Sequence, residues 1–384
     1  MALDQEVLQQ FIDTVRRYVR ERLIPLEHQV AEDDQIPEDV IEEMKDMGLF
    51  GLSIPEEFGG LGLSMSEEAA IIEEMGYTSP VFRSVFGTNV GIGSQGIVID
   101  GTYEQKKHYL PLLASGELIG SFALTEPDAG SDAGSVQTSA RLEGDEYVIN
   151  GTKRYITNAP RAGVFTVMAR TGTREEGSRG VSAFLVEAHL PGISLGKLDQ
   201  KMGQKGSHTC DVIFENVRIP KTALIGGIEG LGFKTAMKVL DRGRLHISAL
   251  SVGIAKRLID DSVAYAMERR QFGSAISEFQ LIQGMLAQSQ TDYYAGKCMV
   301  KATAHDYDAG LKVSLHAASC KLFCTEMVGR VADCAVQIHG GAGYISEYSV
   351  ERFYRDVRLF RLYEGTSQIQ MLVIAKQMLR DAQE

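Results

Sequence analysis

The feature that most constrains this chain is a change of rhythm. Apolar residues recur at helical spacing at first, give way near residue 121 to short β-favouring runs, and return to helical spacing after about 229. A 3.6-residue period buries one stripe of a helix, whereas a 2-residue period or a short apolar run suits a strand, so one layer architecture cannot serve the whole length. The first stretch predicts helices over 4–30, 37–48, 65–76, 82–99 and 102–115, broken by the Pro- and Gly-rich loop at 54–64. In the middle, Tyr147–Ile149 and Thr152–Thr157 flank Asn150-Gly151, which predicts a hairpin, because that pair tolerates the positive φ of a tight turn. Phe165–Ala169, Val181–Val186 and Cys210–Phe214 read as further strands. The last stretch predicts long helices over 230–269, 278–308, 311–338, 347–357 and 367–381. The expectation is an α+β multidomain chain: an N-terminal α-helical domain over 1–120, a central β-barrel-like domain over 121–228, and a C-terminal four-helix bundle over 229–384.

Composition narrows the function. Lys plus Arg is 39 and Asp plus Glu is 51, a net charge of −12, which argues against a broad nucleic-acid interface built on phosphate neutralisation. No apolar run reaches the roughly 18 residues of a membrane span. The first 25 residues lack the apolar core of a signal peptide and read as an amphipathic helix. The five cysteines are odd in number and form no CxxC pair; Cys320 and Cys324, four apart on a helical pattern, are read as reduced thiols rather than metal ligands. No metal is expected, and the expected address is the cytoplasm. There are 14 Tyr and 15 Phe but no Trp, which is unusual at 384 residues.

Common catalytic fingerprints are missing or stand out of context. The Gly-rich segments 59–64, 226–232 and 340–345 do not fit GxGxxG, which occurs only as GIGSQG (91–96) inside a helical run; no GxxxxGK[ST] or HExxH occurs, and GxSxG occurs only as GISLG (192–196). What remains is a series of polar, Gly-containing segments: FALTEPDAGSD (122–132), YVINGTKRYITNA (147–159), LDRGR (240–244), MERRQFG (267–273), QIHGGAGY (337–344) and LYEGTSQIQ (362–370). Each alone has a plain reading as a cap, a surface cation or a helix stop.

In this order, across a helix–strand–helix chain, the set resembles the acyl-CoA dehydrogenase family over essentially the whole length. The resemblance implies a helical domain, a β domain and a four-helix bundle, non-covalent FAD, a homotetramer, α,β-dehydrogenation of an acyl-CoA, and electron-transfer flavoprotein as acceptor. That chemistry needs a carboxylate base for the weakly acidic α-proton and donors for the charge that builds on the thioester oxygen. The resemblance assigns the base to Glu364. On residues alone, Glu364 also reads as a helix N-terminal carboxylate. In some relatives the base lies instead within the segment matching LDRGR; the relevant position here is Gly243, which has no side chain. The FAD contacts implied are Phe122, Leu124, Thr125, Ser131, Tyr155, Thr157, Gln337, Gly341, Thr366 and Gln368, with Arg269, Phe272 and Gln280 reaching a neighbouring subunit's FAD. The substrate contacts implied are Phe233, Asp241, Arg244, Tyr363, Gly365 and Ser131. Where the family often has WITN beside the flavin, this chain has YITN, with Tyr155 in place of Trp.

Arg83, in SPVFRSVFGTNVG (79–91), falls in the segment that lines the far end of the family's acyl cavity. Members acting on dicarboxylyl-CoA substrates carry an Arg in a similar context. Two readings stay open: an anchor for a distal acidic group, or a cation paired with Glu73, Glu74 or another carboxylate. The expected substrate is a short or acidic-tailed acyl-CoA. Alternatives are glutaryl-CoA-type dehydrogenation with or without decarboxylation, a related desulfinase or oxidase, and a helical scaffold without activity. Arg352, Arg355, Arg358 and Arg361 recur every three residues and read as a solvated or intersubunit face.

Overall fold

In a computed structural model of the chain, residues 4–383 are described; residues 1–3 and 384, the outer ends of the first and third expected domains, lie outside them. Helices α1 (Gln5–Tyr18), α2 (Glu27–Asp33), α3 (Glu38–Asp46), α4 (Met65–Met75), α5 (Pro80–Thr88), α6 (Gln95–Asp100) and α7 (Tyr103–Ser115) come first. Strands β1 (Gly120–Ala123), β2 (Ser139–Glu143), β3 (Glu146–Thr157), β4 (Val164–Arg170), β5 (Val181–Glu187), β6 (Ile193–Leu195) and β7 (Thr209–Pro220) follow. Then come α8 (Gly232–Glu268), a small hairpin of β8 (Arg270–Gln271) and β9 (Ser274–Ala275), α9 (Gln280–Asp308), α10 (Ser314–His339), α11 (Ser349–Val357) and α12 (Ser367–Asp381).

Local chemistry sets the helix ends. Ser64 and Glu67 form a reciprocal cap on α4, and Thr102 and Gln105 do the same on α7, satisfying N–H groups that would otherwise lack partners. Two expected helices are interrupted. The first passes through a π turn at Val19–Leu23 and a 3₁₀ turn containing Pro25 before α2 begins. The run over 82–99 starts at Pro80 and unwinds into a π turn at Asn89–Gly93. Asn89 explains that unwinding: its side chain donates to the carbonyls of Phe50 and Leu113 and accepts from the Gly120 N–H at 2.8 Å, which ties the helical part to β1.

The seven strands form one curled sheet in the order β1-β4-β2-β3-β7-β6, with β5 beside β4. The hairpin expected at Asn150-Gly151 is not there. β3 runs straight through both residues, and the turn falls at Gly144-Asp145 between β2 and β3, where Gly144 supplies the positive φ of 67°. β3 pairs with β7 on both sides of Gly151, so the irregularity is absorbed as a bulge; a Cβ at 151 would meet Thr138. A second shift, between Lys153 and Ile156, leaves Tyr155 at φ 59°. A second two-residue turn, Phe272-Gly273 between β8 and β9, has both φ values positive.

The helices before and after the sheet share one apolar core, with residues such as Phe82 and Phe86 packed with Leu245–Leu258 of α8. The sheet has its own core around Phe165, Phe184 and Phe214. Arg352 departs from the expected solvated arginine face: it is buried and bonded to Glu27 at 2.6 Å.

Candidate active site

A cavity of about 590 Å³ lies where the sheet meets the helical body. One wall comes from β1, the loop after it and β3; the other comes from α5, the first half of α8, the turn after α11 and the start of α12. Twelve of the residues expected from sequence line it: Arg83, Phe122, Leu124, Thr125, Ser131, Tyr155, Thr157, Phe233, Arg244, Tyr363, Glu364 and Gly365.

The β wall is mostly uncharged, with Arg154 and Asp132 as its ionised lining residues. Its loop is tied back by a buried pair: Lys153 Nζ donates to the Leu124 carbonyl at 3.0 Å and to Glu126 Oε1 at 2.7 Å. Glu126 also accepts from the N–H groups of Gln137 and Thr138. Burial pushes the Lys153 ammonium down to about 8, and Glu126 opposes that fall. The β3 bulge turns Tyr155 outward, 58% exposed at the cavity edge, with the Arg154 guanidinium 5.0 Å from its ring.

The helical wall carries charge. Glu364 sits at φ 53° and Gly365 at φ 88°, a left-handed pair that turns the carboxylate into the cavity. Three side chains hold that turn. Lys321 Nζ donates to the Gly365 carbonyl at 2.6 Å, Gln370 Nε2 donates to the carbonyls of Glu364 and Gly365, and Thr366 caps α12 by accepting from the Ile369 N–H. Burial raises the Glu364 carboxyl above its ordinary range, against the opposing pull of Arg83, Lys321 and Arg244. Its Oε2 is buried without a hydrogen-bond partner. Gly243 makes this placement possible, since a Cβ there would land on that carboxylate.

Arg83 is buried and lines the cavity. It does not pair with Glu73 or Glu74, which bond Lys297 and Arg16 instead. Its guanidinium lies along its own helix, over Gly87, and Nη2 donates to His246 Nδ1 at 2.5 Å. Arg244 lies on the same wall and pairs with Asp241 at 2.6 Å; Asp241 faces away and accepts from Ser314.

Other expected residues lie off the cavity. Thr366 is the α12 cap and Gln368 is exposed on that helix. Arg269, Phe272, Gln280, Gln337 and Gly341 are exposed on the far end of the bundle, Phe272 at 96%. Sequence reasoning missed Lys321, Gln370 and His246. Each sits inside an ordinary helical pattern, so no local signal marks it; only the fold brings them to Glu364 and Arg83.

Three family models match the chain: acyl-CoA dehydrogenase N-terminal domain over residues 5–117, middle domain over 121–217, and C-terminal domain over 230–379. Among curated relatives, the probable acyl-CoA dehydrogenase YngJ of Bacillus subtilis is 42% identical, covering 96% of this chain and 97% of its own length. Subunit CarC of the caffeyl-CoA reductase-Etf complex of Acetobacterium woodii is 39% identical, covering 92% of each. Among solved structures, a glutaryl-coenzyme A dehydrogenase in complex with glutaryl-CoA superposes with a TM-score of 0.93 at 34% identity, covering 99% of this chain and 96% of that one. An acyl-CoA dehydrogenase complexed with FAD from Bacillus anthracis gives a TM-score of 0.92 at 35% identity, covering 99% of this chain and 68% of that one.

Proposed function

The chain belongs to the acyl-CoA dehydrogenase family, and from that premise we propose that it oxidises a short or acidic-tailed acyl-CoA to the trans-2-enoyl-CoA, with FAD as hydride acceptor and Glu364 as base. The enzyme class is an oxidoreductase of the CH–CH group of an acyl-CoA. The single observation that carries the mechanism is the Glu364 carboxylate, turned into the cavity with an unpartnered oxygen and an acidity weakened by burial.

The β wall suits a flavin. Most of its lining groups are backbone, aromatic rings and the hydroxyls of Thr125, Ser131 and Thr157, partners fitted to a flavin's carbonyls and ring nitrogens, beside the charged Asp132 and Arg154. FAD, when bound, supplies the two-electron acceptor. Glu364 removes the α-proton, and its weakened acidity makes it a stronger base than a solvated carboxylate. Arg244 and Lys321 keep positive charge beside that carboxylate. Phe233 and Tyr363 give the cavity apolar surface and exclude water. Arg83 receives a distal acidic group: it is a buried cation in the cavity whose side-chain hydrogen bond goes to a neutral ring rather than to a carboxylate. The fold resemblance to a glutaryl-CoA complex supports the same tail chemistry.

Exposed Phe272, Leu281 and Tyr344 support a homotetramer in which Arg269, Phe272 and Gln280 reach a neighbour's FAD, with Gln337 and Gly341 on the same bundle. Electron-transfer flavoprotein is the proposed acceptor, supported by the relative named within an Etf complex. That relative is named a reductase, which favours a second reading: the same site run backwards, Glu364 returning a proton to the α-carbon of an enoyl-CoA. Among the described residues, no helix is long and apolar enough to cross a membrane.

Anaerobic titration of the flavoprotein tests this. Butyryl-CoA and glutaryl-CoA should bleach the flavin, the acidic tail more efficiently, and CO₂ release from glutaryl-CoA separates decarboxylation from simple oxidation. Arg83→Gln should cut the preference for the acidic tail by roughly 10- to 100-fold, the worth of one hydrogen bond to a charged group. No bleaching by any saturated acyl-CoA rejects dehydrogenation; unchanged selectivity in Arg83→Gln rejects the anchor.

A further inference from the structure

Behind the cavity runs a buried chain of charged and polar groups that the reaction itself does not use. Arg83 Nη2 donates to His246 Nδ1, His246 Nε2 lies 2.7 Å from Glu68 Oε1, and Glu68 is bonded in turn by Arg242. All four side chains are buried, His246 and Glu68 completely. An Nδ1 that accepts from a guanidinium carries no proton, so the ring's one hydrogen sits on Nε2, the nitrogen on the Glu68 side, where the 2.7 Å approach is a charge contact without hydrogen-bond geometry. His246 is therefore uncharged. Burial, with the neighbouring Arg83 and Arg242 guanidinium groups, pushes its acidity the same way. Gly91 leaves the meeting place open: a Cβ there would stand 3.2 Å from Arg83 Nη2 and 3.5 Å from His246 Nδ1.

The consequence follows from what Arg83 would otherwise do. A buried guanidinium seeks an anion, and Glu364 is the cavity carboxylate whose charge acts on it. Such a pair would consume both groups, since the base would be stabilised in its charged form and the cation would be cancelled. We propose that His246 is a positioning residue that draws the Arg83 guanidinium back from Glu364 without cancelling its charge, leaving the base and the cation both free for the substrate. A carboxylate at 246 would hold Arg83 but neutralise it, and an aliphatic residue would not hold it at all. The Glu68 charge beside Nε2 favours the tautomer that accepts, and Arg242 offsets that charge. For acidic-tailed substrates the inference rests on the function proposed above, but its effect on the base does not.

The test compares His246→Leu, with His246→Met as the second packing choice, with His246→Asn, whose Oδ1 can replace the Nδ1 acceptor. Each is purified as the FAD holoenzyme, and flavin content and melting temperature are checked. The pH profile of kcat/KM is then measured with the best acyl-CoA of the panel. The groups facing Glu364 are Arg83 from α5, Arg244 from α8, Lys321 from α10 and the adjoining Tyr363. Of these, the change frees Arg83 alone. A cation moving toward a carboxylate favours its ionised form, so the acidic limb should move down by about one pH unit in the Leu or Met variant. His246→Asn should restore the wild-type limb. In an Arg83→Gln background the His246 change should cause no shift. Selectivity for glutaryl-CoA over butyryl-CoA should fall about 10-fold in the Leu or Met variant. An unmoved limb, or a shift that persists without Arg83, overturns the inference. If Arg83→Gln leaves selectivity unchanged, the acidic-tail reading fails, while the limb still decides the role of His246.

Discussion

The two walls of the cavity are built on opposite principles. The β wall presents mainly backbone and hydroxyls, with Arg154 and Asp132 as its charged lining residues, and the ionised pair behind it, Lys153 and Glu126, is satisfied by its own loop. On the helical wall, Glu364 Oε2, Arg83 Nε and Arg244 Nε are buried without hydrogen-bond partners. A satisfied buried network rigidifies, while an unpartnered buried charge costs free energy and keeps its reactivity. The difference separates two tasks: a rigid, mostly uncharged surface holds a planar group, and a charged, incompletely bonded one handles protons and acidic ligands. The separation predicts that changes on one wall leave the other wall's function intact.

The largest effect should come from the base. Glu364→Gln removes the proton acceptor and keeps the shape, so turnover should fall about 10³-fold while flavin content stays at the wild-type level. In the wild type, activity should rise with pH through a midpoint above the ordinary carboxylate range, because burial raises Glu364 and only its ionised form accepts a proton. Loss of flavin together with turnover would break the separation of the walls. On the other side, Lys153→Met strands the buried Glu126 charge. Stability should drop by about 3 kcal/mol, and flavin should dissociate more easily, while turnover per bound flavin is unchanged. A normal melting curve would remove Lys153 from the architecture of that wall. Gly243→Ala comes next. The new methyl would displace the Glu364 carboxylate, and a shift of about 1 Å in a catalytic group costs roughly 100-fold. Wild-type kcat in that variant would mean that the turn at Glu364-Gly365 gives way at no cost.

How much of this the sequence showed also divides by wall. The β wall is written in contiguous segments, 122–132 and 147–159, so its residues were legible once those segments were recognised. Glu364 was legible for the same reason. The groups that tune it were not. Lys321 and His246 come from the middle of long helices and meet Glu364 and Arg83 only because α8 and α10 pack beside the turn. The hairpin expected at Asn150-Gly151 shows the opposite error. A strong local turn signal lost to pairing with β7 along the whole of β3, while the Gly144 turn carried the chain reversal. Phe272-Gly273, with its aromatic residue in a left-handed conformation, formed a turn that local preferences did not mark. Arg352 likewise looked like a surface arginine until Glu27, distant in sequence, was placed against it.

The smallest effect tests the seam between the two parts. Asp356 on α11 is buried, accepts from the Gln204 N–H of the loop preceding β7, and takes the Gln204 side-chain amide on its own carbonyl, so it pins an edge of the β domain to the helical body. Burial pushes its carboxyl up to about 6, against the opposing effects of the Gln204 N–H and of Arg352 and Arg355. A folded-state value above the unfolded one means the fold prefers the protonated acid. That preference stabilises fully below the unfolded value near 3.8 and is lost as pH rises through about 6. Asp356→Asn keeps an acceptor for Gln204 and cannot ionise. Arg352 retains Glu27 as its partner, so no new buried charge is stranded. The variant should therefore gain stability relative to wild type between pH 5 and pH 8, by about 1–2 kcal/mol, read as the change in melting-temperature difference across that interval. Equal differences at both pH values would show that Asp356 is ionised in the fold at little cost, and that the seam is held as a charged contact like those of the helical wall rather than as a neutral one.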